Sequence, residues 1–313
     1  MAFANLATVS LPSAVPPVLV GLLDDAATFP PDNAAMADAA AAHAEHRRAW
    51  YADLVGPFVV SDQRLPELAG VLRDHEPVAD SPESDAPAVP LAVSVVVSGG
   101  AGALEPALGW ADRAEGLDLR SVEVAVRDDA GTPDGLAHNA TRITTALGTW
   151  PAPVTAYVEM PPLRGPDPTA DWLRGLDVLA AADVAVKLRT GGQSADAHPS
   201  EAELVATIDA VLDRELGFKT TAGLHHAVRS TSPDGWEQHG FLNVLGATAV
   251  LLRGDGRSRA ERVLAERDPG VLVEAVSAWP VEPTARRWFR SFGSCSVVDP
   301  VDDLVALGLL IVP

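Results

Sequence analysis

The run VAVKLRTGG (184–192) sets the pattern that decides the fold. It is rich in strand-forming residues, ends at two glycines and precedes a helical stretch. The same unit occurs on either side, because VTAYVEMP (154–161) precedes a helix near 167–182, and FKTTAGLHH (218–226) leads through a loop into a helix near 240–252. Parallel strands need crossovers of this length, so the three runs predict three neighbouring βα units.

Further strand-like runs extend this rhythm to both ends of the chain. Eight strand–helix units are the number that a TIM barrel requires. An open, doubly wound sheet is the rival architecture, but no GxGxxG motif follows the first strand. We therefore predict an α/β fold, a single (βα)8 TIM-barrel domain over residues 1–313. The five further runs are VLVGLLDD (18–25), GPFVVSD (56–62), LAVSVVVSGG (91–100), SVEVAVR (121–127) and SFGSCSVVDP (291–300).

Two segments stand outside the rhythm of strands and helices. The stretch 77–90 is rich in Pro, Ser and Asp and is expected to be an exposed loop. The stretch 227–239, which contains Trp236, follows the seventh strand. It is a candidate lid over the mouth of the barrel, with a plain surface loop as the alternative.

Charge and composition argue against several classes of partner. Asp and Glu number 43 against 23 for Lys and Arg, which gives a formal net charge of -20. Such a surface repels phosphate backbones and anionic head groups, so we expect neither a nucleic-acid nor a membrane partner. One cysteine, no Lys or Arg before Arg47 and no apolar stretch of membrane-spanning length together predict a cytoplasmic protein.

Only two of the 23 basic residues are lysines, Lys187 and Lys219. The period of two residues in a strand places Lys187 and Arg189 on one face and Val186 and Leu188 on the other. The outer face of a barrel strand packs on helices, so the apolar set should face outward and the polar set the barrel axis. Both lysines are therefore predicted to point inward from adjacent strands.

The inward polar residues of four consecutive strands form the main candidate site: Arg127, Glu159, Lys187, Arg189 and Lys219. Neighbouring ammonium groups beside a guanidinium should lower a lysine pKa. A lysine that loses its proton is a competent imine nucleophile, which an arginine is not. Glu159 can offset the charge or move protons. A buried ion-pair network without chemistry is the alternative.

The three runs at 154–226 resemble strands five to seven of deoxyribose-phosphate aldolase-like class I aldolases. That family carries an acidic residue on strand five, an imine-forming lysine on strand six, and a second lysine before a Gly-rich phosphate-binding turn on strand seven. Lys187 with Thr190 and Gly191 is similar to the first lysine motif, and Lys219 with Ala222 and Gly223 is similar to the second.

The sequence departs from the family pattern at Arg189, at the pair His225–His226 and in a long N-terminal part. The resemblance implies an aldolase-like lyase that forms a Schiff base between Lys187 or Lys219 and a small anionic carbonyl compound, with or without a phosphate group. Glu159 and His225 would then move protons, and no cofactor would be needed. The expected substrate-binding residues are Arg127, Arg189, Thr190, Gly191, Gly192, Thr221, Gly223, His226 and Ser294.

Two alternatives come from other residues. Asp25, at the end of the first strand, and His225 could together bind a divalent metal ion at the barrel mouth, which would make the protein a metal-dependent lyase or hydrolase. No HxH or HExxH spacing supports this alternative. The third hypothesis is a non-catalytic barrel that binds an anionic small molecule. A homo-oligomer is compatible with all three.

Overall fold

The computed structural model describes residues 14–74, 89–127, 134–278 and 284–313. At its centre, eight parallel strands close into a barrel, and a small antiparallel hairpin stands apart from them. The barrel strands are β1 (Leu23–Asp25), β2 (Val55–Ser61), β3 (Leu91–Val97), β4 (Leu117–Ala125), β5 (Thr155–Glu159), β6 (Ala185–Arg189), β7 (Phe218–Thr221) and β10 (Phe289–Ser294), and the hairpin strands are β8 (Ser230–Thr231) and β9 (Glu237–Gln238).

The order around the barrel is β1-β10-β7-β6-β5-β4-β3-β2, so β10 closes the barrel between β7 and β1. Helices alternate with these strands, and α8 to α10 form the insertion that precedes β10. The helices are α1 (Met36–His46), α2 (Leu65–Asp74), α3 (Ala101–Arg113), α4 (Gly135–Gly148), α5 (Ala170–Ala181), α6 (Glu201–Leu212), α7 (Phe241–Leu252), α8 (Arg257–Ala265), α9 (Pro269–Ala278), α10 (Thr284–Trp288) and α11 (Val298–Ala306). The predicted single-domain (βα)8 barrel is confirmed.

Local sequence explains where helices begin. Thr169 caps α5 by accepting the N–H of Trp172 on its hydroxyl oxygen. The start of α6 is a capping box in which Ser200 and Glu203 satisfy each other's backbone N–H groups. Between the helices and the barrel lies the main hydrophobic core, to which Val186 and Leu188 of β6 contribute their buried side chains. The outward direction predicted for these apolar residues agrees with that position.

The first strand is shorter than the sequence predicts. The apolar run from residue 18 was expected to be extended throughout, but Pro17–Leu19 forms a 3-10 turn and Gly21 has a φ of 60°. Only Leu23–Asp25 joins the barrel. A proline at the start of the turn and a left-handed glycine after it explain the late start.

The two segments outside the alternation of strands and helices, 77–90 and 227–239, are described to different extents. Residues 77–88 of the expected loop 77–90 lie outside the described residues, and the two that follow them are exposed. The candidate lid 227–239 contains the hairpin β8–β9. Among the described parts of the chain, no helix combines the length and the hydropathy needed to cross a membrane.

Candidate active site

Three neighbouring strands bring four of the five predicted residues together, whereas Arg127 is exposed after β4 and donates from Nη2 to the carbonyl oxygen of Gly99 at 3.3 Å. In the strand register, Glu159 of β5 lies beside Lys187 of β6, and Lys187 lies beside Lys219 of β7. Arg189 follows Lys187 by two residues, so it points to the same side one step nearer the carboxyl end of the strand. Charged residues from separate parts of the chain are therefore stacked inside the barrel below its mouth.

Lys187 is held by two carboxylates. Its Nζ is 2.8 Å from Oε2 of Glu123 and 3.1 Å from Oε2 of Glu159. The other oxygen of Glu159, Oε1, accepts a hydrogen bond from Nε of Arg189 at 2.8 Å. The side chain of Lys187 is 6% exposed and that of Glu159 is 13% exposed, so a small opening reaches this ion pair from above.

Lys219 lies deeper and has its own pair of carboxylates. Its Nζ is 2.5 Å from Oδ2 of Asp24 and 2.7 Å from Oε1 of Glu123. The hydroxyl of Ser291 donates to the same oxygen of Asp24 at 2.8 Å, and the hydroxyl of Ser94 donates to Oε1 of Glu123 at 2.8 Å. Glu123 therefore bridges the two lysines from β4.

The six charged residues form an alternating chain that is formally neutral: Arg189, Glu159, Lys187, Glu123, Lys219 and Asp24. Burial of charges is costly unless each has partners of opposite sign. Here each lysine has two carboxylates, which satisfies that condition. We call these six residues the charge chain.

The prediction that neighbouring cations lower the lysine pKa values is wrong. Burial does lower the pKa of Lys187, but Glu123 and Glu159 outweigh it and the pKa is raised. The pKa of Lys219 is raised well above its usual range, because Asp24 and Glu123 outweigh burial. Glu123 contacts both ammonium groups and Asp24 contacts that of Lys219, and the sequence expectation had counted only the neighbouring cations.

The carboxylates differ in how firmly they hold their charge. Burial tends to raise the pKa of Glu123, but the two ammonium groups lower it far below its usual value. Burial likewise opposes the effect of Lys187 and Arg189 on Glu159, whose pKa is also lowered. At Asp24 burial dominates, so its pKa is raised in spite of Lys219. The pKa of Asp24 therefore shifts in the opposite direction to those of the two glutamates.

A cavity of about 1170 Å³ opens above the charge chain at the carboxyl ends of the strands. Glu123, Glu159 and both lysines contribute to its surface, and Arg127 and Arg189 line it nearer the mouth. An active site at this end is the rule for TIM-barrel enzymes. The cavity thus combines buried amines with two guanidinium groups on the side of β4 and β6.

The expected substrate-binding residues divide into two groups. Of these, Arg127, Arg189, Gly192, Thr221, Gly223 and His226 line the cavity. Thr190 is fully buried and its hydroxyl donates to the carbonyl of Ala222 at 2.5 Å. Gly191 allows close backbone contact, because a Cβ there would lie 2.8 Å from Cα of Gly223. Ser294 is buried beneath the mouth, where its hydroxyl accepts from the N–H of Ser296.

The structure separates the two residues of the metal alternative. Asp25 points outward, where Oδ2 lies 2.9 Å from Nδ1 of His43 on α1. His225 lines the cavity near Cys295, with Nδ1 3.6 Å from Sγ. Within the described residues, no group of three or more His, Cys, Asp or Glu side chains is placed to hold one metal ion. Asp25 and His225 therefore do not share a site.

Burial lowers the pKa of His225, which favours the neutral imidazole. Burial also raises the pKa of Cys295 to about 12, so its thiol stays protonated at neutral pH. The neutral form lets His225 accept a proton at the mouth of the cavity. Cys295 is a poor nucleophile in this setting.

Sequence reasoning missed the two carboxylates that decide the electrostatics, Glu123 and Asp24. A signal for Glu123 existed, since it shares the inward face of its strand with Arg127 by the period of two. Asp24 and Asp25 are adjacent in a strand of only three residues, so the sequence pattern does not show which of the two points inward. The inward direction of Asp24 follows only from its pairing with the strands on each side.

The chain was also compared with known proteins. No protein-family model, no curated protein and no solved structure matches it.

Proposed function

We propose that this barrel is an enzyme that forms an imine between Lys187 and a small anionic carbonyl compound, in the manner of a class I aldolase or lyase. The observation that carries the proposal is the position of Lys187. Its ammonium group lies at the floor of the cavity between two carboxylates, with Arg127 and Arg189 in the wall above. The resemblance over strands five to seven points to the same chemistry.

Lys187 is a better candidate nucleophile than Lys219. The side chain of Lys219 is 1% exposed and its ammonium is enclosed by Asp24 and Glu123. Both lysines line the cavity, but the side chain of Lys187 is 6% exposed and that of its partner Glu159 is 13% exposed. Lys219 and Asp24 then act from below as positioning residues, because they fix the orientation of Glu123.

The first step is the attack of a neutral amine. A proton moves from Nζ of Lys187 to the carboxylate of Glu159, which lies 3.1 Å away, and the amine nitrogen then adds to the carbonyl carbon. Loss of the former carbonyl oxygen as water leaves an iminium ion. The departing water carries one proton from the nitrogen and one from Glu159, so Glu159 returns to its carboxylate form.

The raised pKa of Lys187 has two consequences for this step. It lowers the fraction of neutral amine at pH 7, which slows the attack. The same carboxylates that raise the pKa stabilise a positive charge at Nζ. They should therefore also stabilise the iminium ion, which carries its positive charge at that atom. The iminium can accept the electron pair of a neighbouring C–C bond, which is the bond that a lyase of this type breaks. Arg127 and Arg189 would hold the anionic group of the substrate.

Reductive trapping tests the proposal. We expect cyanoborohydride with pyruvate, or with the anionic aldehyde pyridoxal phosphate, to modify the protein at Lys187, as read by peptide mass mapping. Because the chain has only two lysines, Lys187→Met and Lys219→Met assign the adduct. Modification of the N-terminal amine alone, with both lysines untouched, would contradict the imine mechanism.

One alternative has an observation in its favour. Both lysines are fully paired with carboxylates, which also suits a barrel that binds an anionic small molecule without chemistry. The two functions differ in the same experiment. A pure binding protein would retain pyruvate or pyridoxal phosphate without reduction-dependent mass increase at Lys187.

A further inference from the structure

We infer that the hairpin β8–β9 forms a second subsite that takes a planar ring, so that the substrate is an anionic carbonyl compound with a ring on the part remote from Lys187. The assignment of the carbonyl end rests on the proposed function, whereas the ring subsite stands on the geometry of the hairpin. Trp236 is the residue that determines this specificity.

The hairpin stands over the end of the strand that carries Lys187. The indole of Trp236 stacks on the imidazole of His198, with ring centroids 5.3 Å apart and planes at 15°. Nε2 of His198 lies 2.9 Å from the carbonyl oxygen of Gly192. Lys187, Gly192, His198 and Trp236 all line the same cavity. One ligand in that cavity can therefore lie between the lysine and the indole.

The hairpin is tied in place at its base. Nη2 of Arg229 lies 2.7 Å from Oε1 of Glu201, at the start of α6, and 3.1 Å from Oε2 of Glu237. Nε2 of His239 lies 2.9 Å from the carbonyl oxygen of Pro199. These contacts at both ends of the hairpin hold Trp236 against His198 before any ligand arrives, which reduces the entropy lost on binding.

The surface that the hairpin gives to the cavity suits a ring better than a second charged group. Trp236 is half-buried, and most of the hairpin residues that line the cavity with it are uncharged, namely Ser230, Thr231, Ser232, Pro233 and Gln238. The one charged residue of the hairpin in this wall, Asp234, would repel a second anionic group. Phe29, from the loop after β1, adds further aromatic surface to the same cavity. Aromatic rings favour stacked or edge-on contacts with other rings.

The volume of the cavity is larger than a three-carbon substrate needs. It is about 1170 Å³, whereas pockets for drug-sized ligands occupy about 300–1,000 Å³. A compound such as pyruvate would occupy only the floor near Lys187. A ring at the hairpin would fill more of the cavity and displace water from the indole of Trp236, which adds affinity through apolar burial.

A binding experiment tests the subsite without any chemistry. We expect titration calorimetry to show that 3-phenylpropanoate binds about tenfold or more tightly than propanoate. Trp236→Ala should abolish this preference and Trp236→Phe should keep most of it. Trp50→Ala is the matched control, because Trp50 is also half-buried and also makes a ring contact at 5.3 Å, with Tyr51, but outside the cavity. Equal affinities in the unchanged protein, or a preference that persists in Trp236→Ala, would overturn the inference.

Trapping with phenylpyruvate and pyruvate separates this inference from the proposed function. Faster trapping of phenylpyruvate at Lys187, lost in Trp236→Ala, supports both. Ring-dependent binding without trapping of either compound at a lysine refutes the imine chemistry and leaves the ring subsite standing. Trapping of both compounds at equal rates, with equal affinities for the two carboxylic acids, refutes the ring subsite and leaves the imine chemistry standing.

Discussion

Replacement of Glu123 by glutamine should destabilise this protein more than replacement of any exposed glutamate. Glu123 is 1% exposed and holds Nζ of Lys187 at 2.8 Å and Nζ of Lys219 at 2.7 Å. Glutamine keeps the size but removes the charge, so the charge chain changes from neutral to a net charge of +1, with an ion pair lost at each lysine. Removal of one partner from a buried ion pair costs about 3–5 kcal/mol, and we expect a loss in that range.

Urea unfolding at pH 7, followed by circular dichroism, measures this loss. Glu67→Gln is the matched control, because Glu67 pairs with Arg64 at the surface with half of its side chain exposed, and such a pair contributes about 1 kcal/mol or less. The double variant Glu123→Gln with Lys187→Met should recover part of the stability. It leaves two complete pairs, Lys219 with Asp24 and Arg189 with Glu159.

The difference between the unchanged protein and Glu123→Gln should also depend on pH. The pKa of Glu123 is lowered in the folded protein, so its stabilisation is present above the unfolded pKa, about 4.5, and is lost as pH falls towards the folded pKa. We expect the difference to be greatest near pH 7 and to shrink below pH 4.5. A loss of less than about 1 kcal/mol in Glu123→Gln, equal to that of Glu67→Gln, would refute the argument that the charge chain is held by mutual neutralisation.

Three further predictions follow from the electrostatics and the packing. Because the pKa of Lys187 is raised, the rate of cyanoborohydride trapping should increase with pH from 7 to about 10. Glu159→Gln should move this pH profile to lower pH. An unchanged profile in Glu159→Gln would contradict the role of that carboxylate. His43→Ala should lower the free energy of unfolding in urea by about 2–3 kcal/mol, since it leaves the buried carboxylate of Asp25 without its imidazole partner. Trapping at Lys187 should stay unchanged in this variant. A loss of trapping would mean that Asp25 acts on the site. Cys295, with its pKa raised to about 12, should react with iodoacetamide at pH 8 about a hundredfold or more slowly than free cysteine, as followed by intact mass, and a rate near that of free cysteine would contradict its burial.

Much of the barrel could be predicted from local patterns. Strand-like runs separated by helical stretches predicted the parallel barrel, and the period of two in β6 predicted the inward direction of Lys187 and Arg189. These predictions succeed because strand alternation and helix periodicity depend on neighbours in the chain. The candidate site was only partly predictable, since Glu159 and both lysines were selected and Glu123 was not.

By itself, the sequence determined that two lysines, a glutamate and an arginine face the axis of a parallel barrel. The tertiary structure decided which charge meets which. Lys219 and Asp24 are 195 residues apart in sequence and meet only because β10 closes the barrel between β7 and β1. The direction in which each lysine pKa shifts depends on the nearest opposite charges, at distances below about 4 Å. Strand periodicity defines the face on which a side chain lies, but its distance from a carboxylate on another strand depends on the register and closure of the barrel.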